Sequence, residues 1–458
     1  MTTRTDIFDC PVSISTEGNL DAWNKTQMGF LSHAASTPDH LGEVIKSDPD
    51  FALPLICKGL FSLLMARREL CDVAQQAERD ARTAIERRPI SSREHVFLDA
   101  LKDFNAGFLQ TAADRLDLLV RANPNDALAM KLIQSIRFVL GDAIGMRRSI
   151  ESILPQLHKD HRAYGYALGC HSFALEETGD YQRAEKTGRD AVDHSPDDAW
   201  GLHAVAHVYD MTNNTKAGLD WLQNRTSAWA HCNNFSYHVW WHMALMHLDR
   251  GEIDAVFALY DDYIRKDKTD DYRDISNGTA LLSRLELEGH NVGNRWEELA
   301  DLSEGRTKDG CLAFADLHYM LALIGGERKA AATDLLKRMR KDAAVEATDM
   351  DAIMKHPGLS AAEGLEAFGE GNYTMAFRHL ANARERMQTI GGSHAQRDVF
   401  ERLTIEAALR GGYLDAAERF LTQRSSVRKG HKDQFASLRL EEISRLRSLP
   451  HDAHRASV

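Results

Sequence analysis

The chain has 458 residues, 43% hydrophobic and 27% charged, and 68 Asp+Glu against 56 Lys+Arg leave a net charge of −12. That balance suits a folded chain with an ample core, and no basic block interrupts the acidity, which argues against nucleic acid and anionic membrane surfaces as partners. Only 10 prolines occur, and no long run of alternating β-branched residues, so helix is expected throughout.

The first residues, MTTRTDIFDC, lack the apolar core of a secretory leader, and no apolar run approaches the ~18 residues needed to span a bilayer. The six cysteines are scattered with no CxxC, as expected of reduced thiols in the cytoplasm. Residues 1–40 are read as an irregular or capping segment, 41–425 as one continuous array of helical hairpins, and 426–458 as a C-terminal helix and tail.

In chain order, the first repeat is a degenerate one, GFLQTAADRLDLLVRANP, with Leu109, Ala112, Leu119 and Pro124 at relative positions 0, +3, +10 and +15. The clearest copy follows in GDYQRAEKTGRDAVDHSP, where Tyr181, Ala184, Ala191 and Pro196 take the same places. This is the tetratricopeptide spacing: small alanines let two helices approach, and the proline ends the second helix. GNYTMAFRHLANA repeats its first part with Tyr373, Ala376 and Ala383. Turns between paired helices are predicted near Gly107, Gly141, Gly179, Asn213, Gly251, Gly289, Gly326, Gly371 and Gly411, at steps of 34 to 45 residues. The longest step contains EATDMDAIMKHPG, read as a loop insertion. The predicted fold is therefore all-α, a tetratricopeptide-like solenoid of helical hairpins coiled into a right-handed superhelix.

Unusual polar residues gather on the first helix of each hairpin, the one that lines the inner face of such arrays. HAVAHVYDM carries His203, His207 and Asp210, and HVWWHMALM carries His238 and His242. An i, i+4 pair sets two imidazoles on one helical face, and two such pairs on successive inner helices could converge. His203, His207, His238, His242 and Asp210 are thus candidate ligands for Zn²⁺, Fe²⁺ or Mn²⁺. Interhelical hydrogen bonding by satisfied histidines is the plainer alternative. Trp241 is a candidate pocket wall. In FADLHYMLAL, Asp316 is expected to orient a histidine of an adjacent helix, with His318 as a substrate contact. In GGSHAQRDVF, Ser393 is expected to cap a helix, and Gln396, Arg397 and Asp398 to contact substrate, Arg397 through a carboxylate or phosphate. An arginine–aspartate bridge between helices is the competing reading for this last group. No GxSxG, phosphate-binding GxxxxGK[ST], HExxH or dinucleotide fingerprint occurs.

The motifs DAWGLHAVAHVYDM, YHVWWHMALMHLDRGE, FADLHYMLA and GGSHAQRDVF resemble those of the tetratricopeptide repeat protein 38 family, in the same order, from about residue 20 to about residue 425. The resemblance implies a tetratricopeptide-like superhelix, and it matches His203, His207, His238, His242, Asp316, His318, Gln396, Arg397 and Asp398 to motif positions. His394 departs from the asparagine expected there. It implies no particular reaction.

Two functions follow as expectations. One is an enzyme, a hydrolase or lyase acting on a small, anionic substrate, with His207, His242 and Asp316 catalytic through metal-bound water or imidazole acid–base chemistry. The other is a non-catalytic scaffold for a protein or peptide.

Overall fold

The computed structural model describes residues 4–448. A two-stranded antiparallel hairpin, β1 (Arg4–Thr5) with β2 (Pro11–Val12), precedes an otherwise helical chain. The helices run α1 (Leu20–Ser32), α2 (Thr37–Ser47), α3 (Ala52–Leu64), α4 (Arg68–Arg87), α5 (Ser92–Asn105), α6 (Leu109–Ala122), α7 (Ala127–Val139), α8 (Ala143–Ile153), α9 (Tyr164–Glu177), α10 (Tyr181–His194), α11 (Ala199–Met211) and α12 (Thr215–Gln223). They continue with α13 (Phe235–Asp249), α14 (Ile253–Leu259), α15 (Tyr272–Leu287), α16 (Arg295–Gly305), α17 (Ala313–Gly325), α18 (Lys329–Asp342), α19 (Asp349–Ile353), α20 (Leu359–Gly369), α21 (Tyr373–Arg384), α22 (His394–Arg410), α23 (Leu414–Val427) and α24 (Gln434–Ser448). Successive helices pair as hairpins, α9 with α10 and α20 with α21 among them, which makes the protein an all-α, tetratricopeptide-like helical-hairpin repeat.

The turns fall where the punctuation predicts. Gly107, Gly141, Gly179, Gly251, Gly289 and Gly371 all have positive φ, and Asn213 takes the left-handed conformation at φ 52°. At the remaining two turns the left-handed residue is the next one along, Glu327 and Gly412. These residues end the first helix of each hairpin, because the αL geometry closes the last carbonyls without a continuing helix.

The two helices of a hairpin differ in burial. In α10 only Tyr181, Ala184, Gly188 and Ala191 are buried, a single stripe that contains the repeat's signature residues. In α15 the buried set runs almost without a break from Asp274 to Leu285, all round the helix. First helices pack on one another as well as on their partners: α15 on α17 and α22, and α17 on α20. A helix enclosed on every side must satisfy its polar groups inside the protein.

Contacts gather into two compact units, one of residues up to Val208 with Asn224–Ser236, the other of Tyr209–Gln223 with the residues from Tyr237 onward. Two segments differ from expectation. The N-terminal stretch, read as irregular or capping, contains a regular helix, α1, whose Trp23 and Leu31 are buried, and α1 packs on α7. The expected loop insertion contains α19, started by a capping box between Thr348 and Asp351, and a kinked turn, Met354–Gly358, in which His356 is extended. The C-terminal helix is present as α24, while the predicted tail lies outside the described residues.

Candidate functional site

In the first unit, α9 and α11 come unusually close. A Cβ added to Gly169 would lie 3.1 Å from the Gly201 Cα and 2.0 Å from Asp198 Oδ2, so neither glycine has room for a side chain. Asp198 caps this contact. It is fully buried, accepts the backbone N–H groups of Trp200 and Gly201, and burial pushes its pKa up to about 7.

This approach brings the inner faces of the two helices together. On α9, Gly169, Phe173, Glu176 and Glu177 share a face, at i, i+4, i+7 and i+8. On α11, Trp200, His203 and His207 do the same. His203 and His207 are both buried and meet Nε2 to Nε2 at 2.8 Å, with their rings edge to face. His207 Nδ1 lies 3.6 Å from Glu176 Oε2. Glu176, Glu177 and His207 form a buried group whose potential ligand atoms lie within 4.8 Å of one another.

Aromatic rings wall the pair. Phe173 stacks on His203 and meets His207 edge-on at 5.4 Å. Trp200 and Phe235 stand 5.1 and 5.2 Å from His203. Beyond them His33 is stacked against both Trp200 and Phe235, and buried Lys131 donates to His33 Nε2 at 3.1 Å.

In the second unit, the α13 pair repeats the internal geometry in other surroundings. His242 and His238 meet Nε2 to Nε2 at 3.2 Å, and His238 Nδ1 lies 3.1 Å from Asn277 Oδ1 on α15. Burial lowers the His238 pKa to about 4. Trp241, 0% exposed, stacks on His238. The guanidinium of Arg284 lies over the Trp241 ring, 5.5 Å from its centroid. On α17, His318 is 0% exposed, and its Nδ1–H donates to the Phe314 carbonyl at 2.7 Å. Burial also lowers the His318 pKa to about 4, so the ring is neutral and Nε2 is a bare acceptor.

Other predicted site residues have structural partners. Asp210 pairs with Arg428 at 3.4 Å, an engagement that competes with the expected metal-ligand role. Asp316 is held by Arg338, 2.9 Å from Nη1 and with a second contact from Nη2, so an arginine occupies the carboxylate expected to orient a histidine. Burial nevertheless raises the Asp316 pKa to about 6. Ser393 and Gln396 form a capping box, which uses the Gln396 carbonyl on the Ser393 N–H. Arg397 is buried and donates to the Gly392 carbonyl. Asp398 accepts from Arg402 at 2.8 Å and Arg424 at 2.6 Å, and its pKa lies well below the usual carboxylate range, with those two guanidiniums outweighing burial. Asp433 accepts from the same two arginines. This is the interhelical bridge that competed with substrate binding for Asp398.

Sequence reasoning missed Glu176 and Glu177, Lys131, Asn277 and Arg284. The two glutamates carried a signal: carboxylates in the last turn of a helix oppose its macrodipole, and that cost needs a compensating reason.

No family model matches the chain. Among solved structures it is similar to the crystal structure of the yeast Tom70, at 11% identity and a TM-score of 0.31, over 96% of this chain and 91% of that one. No helix among the described residues is long and apolar enough to cross a membrane.

Proposed function

We propose that the protein binds a divalent transition metal, zinc, iron or manganese, through Glu176, Glu177 and His207, and uses it to hydrolyse or cleave a small molecule. The observation that carries this reading is the buried group of Glu176, Glu177 and His207, with ligand atoms within 4.8 Å of one another. Imidazoles with carboxylates are the donor set these ions favour. When bound, such an ion polarises an oxygen of the substrate or acidifies a water. The chain's own residues supply the rest. Phe173, Trp200 and Phe235 keep bulk water from the histidines, which strengthens every charge interaction among them. Glu176 Oε2 and His207 Nδ1 lie 3.6 Å apart, a separation that suits two donors to one ion. The Nε2–Nε2 contact lets a proton pass between His207 and His203. Kinship with the tetratricopeptide repeat protein 38 family belongs to the same proposal and rests on the four motifs.

The test is metal content by mass spectrometry of protein purified without a metal-binding tag. Near-stoichiometric metal is expected in the native protein and none in a Glu176→Gln/His207→Ala variant. A native protein that holds no metal and takes up none of the three ions on titration sinks the proposal. The same assay on His238→Ala/His242→Ala decides the sequence expectation that this pair is also ligating.

A non-catalytic binding module is the second reading. It is favoured by a cavity of about 720 Å³ in the second unit, whose wall includes Tyr260, Asp261, Arg265, Lys268, Arg295 and Glu298 and no histidine. Under that reading, alanine at Lys268 weakens capture of a partner and leaves any catalysis untouched.

A further inference from the structure

Arg284 is 1% exposed, yet no carboxylate among the described residues lies within ion-pairing distance of it. Its Nη1 donates to the Ala280 carbonyl at 2.9 Å and its Nη2 to the Ala395 carbonyl at 2.6 Å. Both acceptors are neutral. Asp398 and Asp210 attract it from further away, but those carboxylates are already held, the first by Arg402 and Arg424 and the second by Arg428. Burial lowers the Arg284 pKa only to about 10, so the side chain stays charged at neutral pH. Buried charges in proteins are ordinarily paired, because the desolvation cost is otherwise uncompensated.

A second observation lies against it. The indole N–H of Trp241, on the ring that Arg284 covers, is buried and finds no acceptor among the described residues. Nearby, His318 Nε2 is buried with no hydrogen-bond partner, while its Nδ1 is committed to Phe314. Arg284 lies close enough to disfavour protonation of that ring. Buried polar groups left unmatched lose their hydrogen bonds to water without replacement, so folding selects against them. A buried cation without an ion-pair partner and an idle N–H donor on the ring beneath it are complementary to an acceptor-only group of negative charge.

We propose that Arg284 and Trp241 form a binding site for the oxyanion of a small molecule, a carboxylate or a phosphate, in the second unit. The guanidinium supplies the charge, the indole N–H fixes one oxygen, and His318 Nε2 accepts a hydrogen bond from a hydroxyl on the same ligand. The proposal is independent of the metal site, since none of its three residues is among the ligands assigned above.

The experiment is isothermal titration of metal-free, chelator-treated protein with acetate, glycolate and inorganic phosphate. Saturable binding of at least one is expected, lost in Arg284→Met and weakened about tenfold or more in Trp241→Phe, which keeps the ring and removes the N–H. Glycolate tighter than acetate assigns the hydroxyl to His318, and phosphate alone assigns the site to phosphorylated ligands. No saturable heat with any of the three overturns the proposal, as does unchanged affinity in a folded Arg284→Met variant. Should that variant fail to fold, unchanged affinity in Trp241→Phe overturns it equally. Using metal-free protein keeps a failure here separate from a failure of the metal reading.

Discussion

The HxxxH motif occurs on α11 and again on α13, with nearly the same ring contact, 2.8 Å in one and 3.2 Å in the other. Inside its own unit, the first pair meets carboxylates, Glu176 and Glu177. The second meets an amide, an indole and, across that indole, an arginine. Negative neighbours favour imidazolium or a bound cation, whereas neutral and positive ones keep the ring uncharged. The surroundings of the motif are therefore set largely by a neighbouring helix, α9 for the first pair and α15 for the second. A motif read on its own helix carries only half of its meaning.

The largest effect is expected where the arginine-rich surroundings of the second unit are held together. Asp433→Asn leaves Arg424 and Arg402 short of a carboxylate and should cost about 3–5 kcal/mol in urea unfolding. A loss under 1 kcal/mol would show that this network is solvated and that the contrast between the units is weaker than drawn. Next is pH. The His318 pKa is 6.5 unfolded and about 4 folded, because burial penalises the charged ring. The unfolded chain therefore binds this proton first as acid is added. Stability is complete above about pH 6.5 and falls towards pH 4, by about 3 kcal/mol from this group. His318→Phe should flatten that slope, and an unchanged profile would place the acid sensitivity elsewhere. At the first pair, Glu176→Gln alone should weaken metal binding about a hundredfold, read by competition with a chelating dye. Equal affinity would remove the acidic half of the comparison. The smallest effect belongs to Ser393→Ala, which deletes the α22 capping box and should cost about 1 kcal/mol without altering either histidine pair.

Helix, hairpin period and turn positions were legible because each depends on local residues. Gly179 takes a positive φ because the turn requires it, and Tyr181, Ala184 and Ala191 recur because α10 buries one stripe. The candidate site was legible in part. Each pair, His203 with His207 and His238 with His242, follows from i, i+4 geometry. Partners that come from other helices did not. Arg338, on a second helix, reaches Asp316, and Arg428 reaches Asp210 from 218 residues away. Nothing local to Asp316 or Asp210 foretells an arginine there. Arg284 escaped notice for a related reason: in LLSRLELEGH it looks like an ordinary solvated arginine, and only the all-round burial of α15 makes it unusual.

The contact between Gly169 and Gly201 makes the chemistry of the first unit adjustable from a distance. A single methyl at either position acts as a wedge between two helices, and it would shift Glu176 and Glu177 relative to His207 without touching any of them. Graded substitution there, alanine and then serine, offers a dial on the carboxylate–imidazole spacing that deletes none of those side chains.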